Sequence, residues 1–341
     1  MIPVSVITGF LGSGKTTLLR RLLADPTMAE TAVLVNEFGE VGLDHLLLRK
    51  VDEDIILLNS GCLCCTVRDD LIETLDDLRL KRAEGAIPMF NRAVIETTGL
   101  ADPAPIVQTL MMDPALVSHY RLLGLVATVD ATHGGGQLDR HQEALKQVAM
   151  ADRLVLTKID LAGREAAASL QERLAALNPG ATLFTASLES GPGPNELFDS
   201  GFAVVGKPEN VQQWLREESF RTDAHHSHPD VNRHDSRVAS FCLTIDVPIE
   251  WGRLVEWLKL LLASRGDQIL RLKGILNLAG RSRPVIIQGV QHVFYPPVEY
   301  AAWPDADRSS KIVFITSDLP RAGVEESLRQ FLSQRDPKDA P

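Results

Sequence analysis

The sequence predicts a doubly wound, mostly parallel α/β sheet followed by a smaller α+β domain. Over the first 200 residues, short β-branched apolar runs alternate with longer amphipathic stretches, the pattern of strands alternating with helices. The 341 residues exceed one average domain. A polar, histidine-containing stretch over 206–236 interrupts the apolar order, which then resumes. The expected division is 1–205 for the first domain, 206–236 for a linker, 237–332 for the second domain and 333–341 for a frayed tail.

In the first domain the strand segments are 4–8, 32–36, 55–58, 93–96, 123–129, 154–157 and 182–185. Helical spacing of apolar residues predicts helices over 15–23, 68–84, 103–112, 137–149 and 163–177. Several strands end in a polar residue, and ligands of open α/β sheets bind beyond the strand carboxyl ends. In the second domain the expected elements are strands 238–247, 269–278, 285–293 and 311–315, with a helix over 251–262.

Composition narrows the function classes. At 45% apolar and 23% charged residues the chain matches folded proteins rather than disordered or membrane ones. A net charge of -10 gives no broad basic surface for nucleic acid. Apolar runs fall far short of the roughly 20 residues that span a bilayer, so no membrane partner is expected. Met1-Ile2-Pro3 leads straight into an apolar strand, so no export signal is expected. Of four cysteines, Cys62, Cys64 and Cys65 are crowded together, a poor layout for disulfides and a fit to a reduced, cytoplasmic compartment.

Gly9-Phe10-Leu11-Gly12-Ser13-Gly14-Lys15-Thr16 matches the phosphate loop G-x-x-x-x-G-K-[ST], set between a strand and a helix. Glycines let backbone N–H groups converge on phosphates, and the following helix adds its positive end. Lys15 neutralises the β- and γ-phosphates, Thr16 offers a hydroxyl to Mg²⁺, and Thr17 adjoins them. Glu96 ends an apolar strand ahead of Thr97-Thr98-Gly99. Its carboxylate suits the Mg²⁺ shell, and the Gly99 N–H suits the γ-phosphate. Lys15 and Glu96 are therefore the candidate catalytic residues.

Thr157-Lys158-Ile159-Asp160 follows another strand and matches the guanine-reading N-K-x-D element in all but Thr157. An Asp accepts hydrogen bonds from guanine N1–H and the 2-amino group, whereas adenine offers neither donor. Lys158 would lay its methylene stem along the base.

Cys62, Cys64 and Cys65 lie between a strand and a helix. Clustered thiolates are soft ligands for Zn²⁺, Cu(I) and similar ions, and three of them leave a tetrahedral site open, which suits transfer. Buried small hydrophobes or a redox role are the competing readings. Glu37, a histidine, a water or a client protein are the candidates for the fourth ligand, and Glu37 and Glu40 both lie in Asn36-Glu37-Phe38-Gly39-Glu40-Val41-Gly42, where a nucleotide switch would sit.

Together these motifs resemble the CobW-like family of P-loop GTPases, and the resemblance extends through Leu270-Arg271-Leu272-Lys273-Gly274-Ile275 and Gln288-Gly289-Val290-Gln291-His292. It implies GTP with Mg²⁺ as cofactor, slow hydrolysis until a client intervenes, and Zn²⁺ or Co²⁺ as cargo held at Cys62, Cys64 and Cys65. It implies delivery to a client metalloprotein. His225, His226, His228 and His234 resemble a sparse form of the family's histidine-rich metal reservoir, though a flexible polar linker is the simpler reading. A regulatory or protein-targeting GTPase with structural or redox-sensitive cysteines is the alternative. The metal, the client and the oligomeric state stay open.

Overall fold

The computed structural model describes residues 1–36, 55–58, 66–198 and 238–333. Two compact units emerge, Met1–Ala175 with Ala181–Ala203, and Ala176–Gly180 with Val204–Pro341. Glu37, Cys62, Cys64, Cys65, the four linker histidines and the tail beyond 333 lie outside the described residues.

The first unit holds seven strands: β1 Ile2–Gly9, β2 Thr31–Asn36, β3 Ile55–Leu58, β4 Arg92–Glu96, β5 Tyr120–Asp130, β6 Arg153–Thr157 and β7 Thr182–Thr185. They form one sheet in the order β3-β2-β4-β1-β5-β6-β7, and every pairing is parallel. This is the expected doubly wound sheet. Strands buried on both faces are near-continuously apolar, as in the Leu122–Val129 stretch of β5.

Its helices are α1 Lys15–Leu23, α2 Thr66–Glu84, α3 Ala104–Met112, α4 Pro114–Val117, α5 Gly134–Arg140, α6 Gln142–Met150, α7 Arg164–Leu177 and α8 Pro194–Phe198. Leu18, Leu19 and Leu22 of α1 pack with Ile7, Val33, Val35, Val94, Val126 and Val155 from one sheet face. Burying each such side chain is worth roughly 1.5–3 kcal/mol, which fixes α1 and the loop before it against β1.

The expected single helix over 137–149 is instead two helices. His141 leaves the helical region at φ −127°, ψ 116°, and its ring stacks on Phe10 with centroids 4.4 Å apart. The break keeps its backbone bonds, since the His141 N–H donates to the Gln137 carbonyl at 2.9 Å and the Leu145 N–H to the His141 carbonyl at 3.4 Å. The short helices α4 and α8 are additions to the expected elements.

The second unit is built on an antiparallel sheet of β8 Val238–Ile245, β9 Ile269–Leu276, β10 Val285–Val290, β11 Val293–Phe294, β12 Val298–Glu299 and β13 Ser310–Ser317. The order is β11-β10-β9-β13-β8, with β12 also on β10. Two helices, α9 Trp251–Arg265 and α10 Arg321–Ser333, bring Leu254, Trp257, Leu258, Val324 and Leu328 into one cluster with Phe241, Leu272 and Phe314 of the sheet. The expected strand over 285–293 is a hairpin, because Gln291 at φ 48° reverses the chain and pairs Val290 with Val293. The first strand also ends earlier than expected, at Ile245, and α10 adds a helix where none was expected.

Candidate functional site

The strand order places β1 between β4 and β5, so the loops after these strands converge at one edge of the sheet. This is the switch point at which ligands of such sheets bind. Gly9, Gly12 and Gly14 take φ values of 142°, 71° and 90°, which only glycine adopts freely, and Gly14 is the N-cap of α1. The resulting turn aims the backbone and the start of α1 into a cavity of about 640 Å³, lined by Gly12, Gly14, Lys15, Thr16, Thr17, Glu96, Thr97, Thr98, Gly99 and Lys158 among others.

Lys15 is buried and donates to the carbonyls of Gly9 at 2.9 Å and Phe10 at 3.2 Å. Its ammonium is thereby held across the loop while it lines the cavity. The Thr16 hydroxyl donates to Glu96 Oε1 at 2.6 Å, which joins the loop after β1 to the end of β4. Ser13 turns away from the cavity, its hydroxyl 2.6 Å from that of Thr128. Gly99 sits hard against the phosphate loop, where a Cβ would come within 2.7 Å of Leu11 N and 2.8 Å of Leu11 Cα. Gln147 donates to the Gly99 carbonyl at 3.2 Å and to that of Ala101 at 2.9 Å, and Lys146 pairs with Asp102 at 2.7 Å. Helix α6 thus fixes the loop after β4 from behind.

Beside the phosphate loop lies a second cavity of about 250 Å³, lined by Gly14, Thr17, Leu18, Arg21, Thr157, Lys158, Asp160, Leu161, Ala186, Ser187 and Leu188. Asp160 is exposed at its rim. Lys158, with its backbone at φ 58°, lines both cavities.

Thr157 stands where guanine-reading elements usually carry Asn, and it still ties the loops together. Its hydroxyl lies 2.7 Å from the Ser13 carbonyl and 3.1 Å from that of Val129, bridging β6 to the phosphate loop and to β5. Arg21 donates to the Pro192 carbonyl at 3.0 Å and so fixes the segment after β7, while burial lowers its pKa from the ordinary value.

Two contributions escaped the motif reading. The wall formed by Ala186, Ser187 and Leu188 comes from the loop after β7, and only the neighbouring position of β6 and β7 in the sheet brings it to the cavity. Asp130 ends β5 opposite Thr157 and accepts the Lys158 ammonium at 2.7 Å. Burial alone would raise the Asp130 pKa. Hydrogen bonds from Lys158 and from the hydroxyl and N–H of Thr132 outweigh it and hold the carboxyl at about 2. An apolar strand ending in Asp was the available signal.

Of the expected site residues, Gly12, Gly14, Lys15, Thr16, Thr17, Glu96 and Gly99 meet at the first cavity, and Thr157, Lys158 and Asp160 at the second. Gly9 and Ser13 shape the loop from beneath. No group of three or more potential metal ligands occurs among the described residues.

Comparison with known proteins agrees with this geometry. Residues 3–185 match the family model described as the CobW/HypB/UreG nucleotide-binding domain, and residues 238–332 match that of the cobalamin synthesis protein cobW C-terminal domain. The chain is 35% identical to the zinc chaperone YjiA of Escherichia coli, over 96% of both chains. It is 31% identical to zinc-regulated GTPase metalloprotein activator 1 of Schizosaccharomyces pombe, over 86% of this chain and 76% of that one. Against the zinc chaperone CobW of Pseudomonas aeruginosa the identity is 30%, over 97% and 92%. Among solved structures, Zn(II)-bound YjiA GTPase from E. coli aligns with a TM-score of 0.70 at 29% identity, over 98% of this chain and 99% of that one. A Zn(II)-bound triple mutant of YjiA GTPase gives 0.71 at 31%, over 97% and 98%. With a phosphate loop braced by Glu96, a second cavity beside it and both family models matched in order, the chain belongs to the CobW/HypB/UreG family of nucleotide-binding proteins and carries the CobW-type C-terminal domain.

Proposed function

We propose that this protein is a GTP-hydrolysing metallochaperone that binds a thiophilic divalent ion, zinc foremost and cobalt as the alternative, and hands it to a client metalloprotein in the cytoplasm. The observation that carries the nucleotide half is the pairing of Thr16 with Glu96 at 2.6 Å, inside a phosphate loop that adjoins a cavity with Asp160 at its rim. Relatives named as zinc chaperones and as a zinc-regulated GTPase support the metal half. Among the described residues no helix is long and apolar enough to cross a membrane.

The hydroxyl of Thr16 and the carboxylate of Glu96 are hard oxygen donors side by side, which suits Mg²⁺. When bound, that ion supplies charge neutralisation at the phosphates. Lys15 binds the β- and γ-phosphates, the N–H groups of the loop and of α1 orient them, and the Gly99 N–H reads the third phosphate. Asp160 accepts from guanine, and the stem of Lys158 covers the base plane. Among the described residues the cavity lining offers Lys15 and Glu96 beside backbone N–H groups, and rate enhancement in this reading rests on positioning and electrostatics. Cys62, Cys64 and Cys65, with Glu37 as fourth ligand, hold the cargo in this reading. In this reading GTP strengthens metal binding, and hydrolysis releases the cargo to the client.

Metal stoichiometry and affinity of the reduced protein, with and without Mg²⁺-GTP, test the proposal. One ion per chain, bound more tightly with GTP and lost in the triple Cys62, Cys64, Cys65→Ser variant, is expected. Binding indifferent to both changes would leave a GTPase whose cysteines serve structure or redox chemistry.

A further inference from the structure

We propose that Asp130, which belongs to none of the nucleotide motifs, is the positioning residue that holds Lys158 extended along the base cavity and so sets affinity for the guanine nucleotide. The inference rests on the reading of the site as one for GTP.

Asp130 divides its two oxygens between two tasks. Oδ1 accepts from the Thr132 N–H at 2.7 Å, the Thr132 hydroxyl at 2.6 Å and the His133 N–H at 3.3 Å, closing the turn into α5. Oδ2 receives the Lys158 ammonium at 2.7 Å, with His133 Nδ1 at 3.4 Å. The Asp130 side chain is only 3% exposed, against 36% for Lys158.

The turn needs an acceptor, and an amide oxygen would serve it equally well. A negative charge this deeply buried is costly without a cation, and Lys158 is the one that meets it. The tether therefore has its own logic, separate from the turn.

Its consequence falls on Lys158. The side chain starts from a left-handed backbone and lines both cavities, so its stem lies where a base and a phosphate chain meet. A free lysine stem loses rotamer entropy when a base packs on it. Fixing the ammonium to Asp130 meets that cost before the nucleotide arrives.

The test is equilibrium binding of GDP and GTP to the full chain for wild type, Asp130→Asn, Lys158→Met, the double variant and Thr132→Val. Asp130→Asn keeps an oxygen for the turn and removes the charge, so it should weaken GDP and GTP alike by about tenfold. In the Lys158→Met background the same change should add nothing. Thr132→Val disturbs the turn alone and should leave both affinities within about twofold. If Asp130→Asn proves unfolded by circular dichroism, Asp130→Ser retains an oxygen for the turn and must show the same coupled loss. Losses that multiply in the double variant, or a Thr132→Val loss equal to that of Asp130→Asn, would reduce Asp130 to a helix-entry cap. Tight wild-type binding with an unaffected Asp130→Asn overturns this proposal alone, whereas a wild type that binds neither nucleotide removes the GTP reading with it.

Discussion

At the phosphate end the cavity of about 640 Å³ is shaped by the backbone of Gly12 and Gly14 and the start of α1, with Lys15 and Thr16 projecting from adjacent positions. At the base end the cavity of about 250 Å³ is walled by side chains from α1, from the end of β6 and from the loop after β7. The anion cradle of the first is local, since consecutive residues bend into it as soon as β1 and α1 pack, and Glu96 to Leu100 with Lys158 then complete the cavity around it. The second exists only once three parts of the chain stand side by side. Changes at the phosphate end should therefore act on every nucleotide, and changes at the base end on the choice between nucleotides.

The sharpest test of that contrast is Lys15→Ala. Removing the cation that spans the loop should cut GTP hydrolysis by about 10³-fold and weaken GTP and ATP in parallel, as read by phosphate release and competition binding. A loss confined to GTP would break the comparison. Asp160→Ala should do the opposite, weakening GTP by about 100-fold while leaving ATP unchanged, so that the preference collapses.

Acid should separate the two ends as well. Asp130 has a folded-state pKa of about 2 against an ordinary 3.8, so its stabilisation is present above 3.8 and disappears as pH falls through 2. A shift of this size corresponds to about 2 kcal/mol of unfolding free energy, which Asp130→Asn should abolish in urea titrations between pH 4 and 2. An acid-induced loss of stability that persists unchanged in the variant would assign it to other carboxylates.

The smallest expected effect is that of Gly99→Ala. The added methyl meets the Leu11 backbone at 2.7 Å and pushes apart the loops after β1 and β4. An overpacking cost near 1.5 kcal/mol should slow hydrolysis about tenfold with GDP affinity unchanged, because GDP does not call on the Gly99 N–H. Equal losses for GDP would show that Gly99 shapes the whole loop rather than the third-phosphate contact.

Legibility followed the same division. Gly9 to Thr16 could be read as a phosphate loop because glycines at set spacing, between an apolar strand and an amphipathic run, dictate the local fold. Helix α1 and strands β3 and β7 were legible to the residue because apolar periodicity stopped where the elements stop. The break at His141 was not, because a ring partner far away in sequence, Phe10, favours it. The hairpin at Gln291 was hidden inside the mixed apolar and polar segment Val285 to Val293, where strand-like residues continue on both sides of the reversal.

The sequence by itself determined that the chain folds as a parallel α/β sheet with a phosphate loop, that Asp160 follows β6 in a Thr-Lys-x-Asp element, and that Cys62, Cys64 and Cys65 cluster between β3 and α2. Each is written in residues close together, whose spacing alone constrains the backbone. Only the tertiary structure decided that Thr157, in place of the usual Asn, bridges β6 to the phosphate loop and to β5, that Glu96 meets Thr16, and that Asp130 holds Lys158. Those contacts join residues 28 to 144 positions apart, and strand order in the sheet, which no local pattern encodes, brings them together.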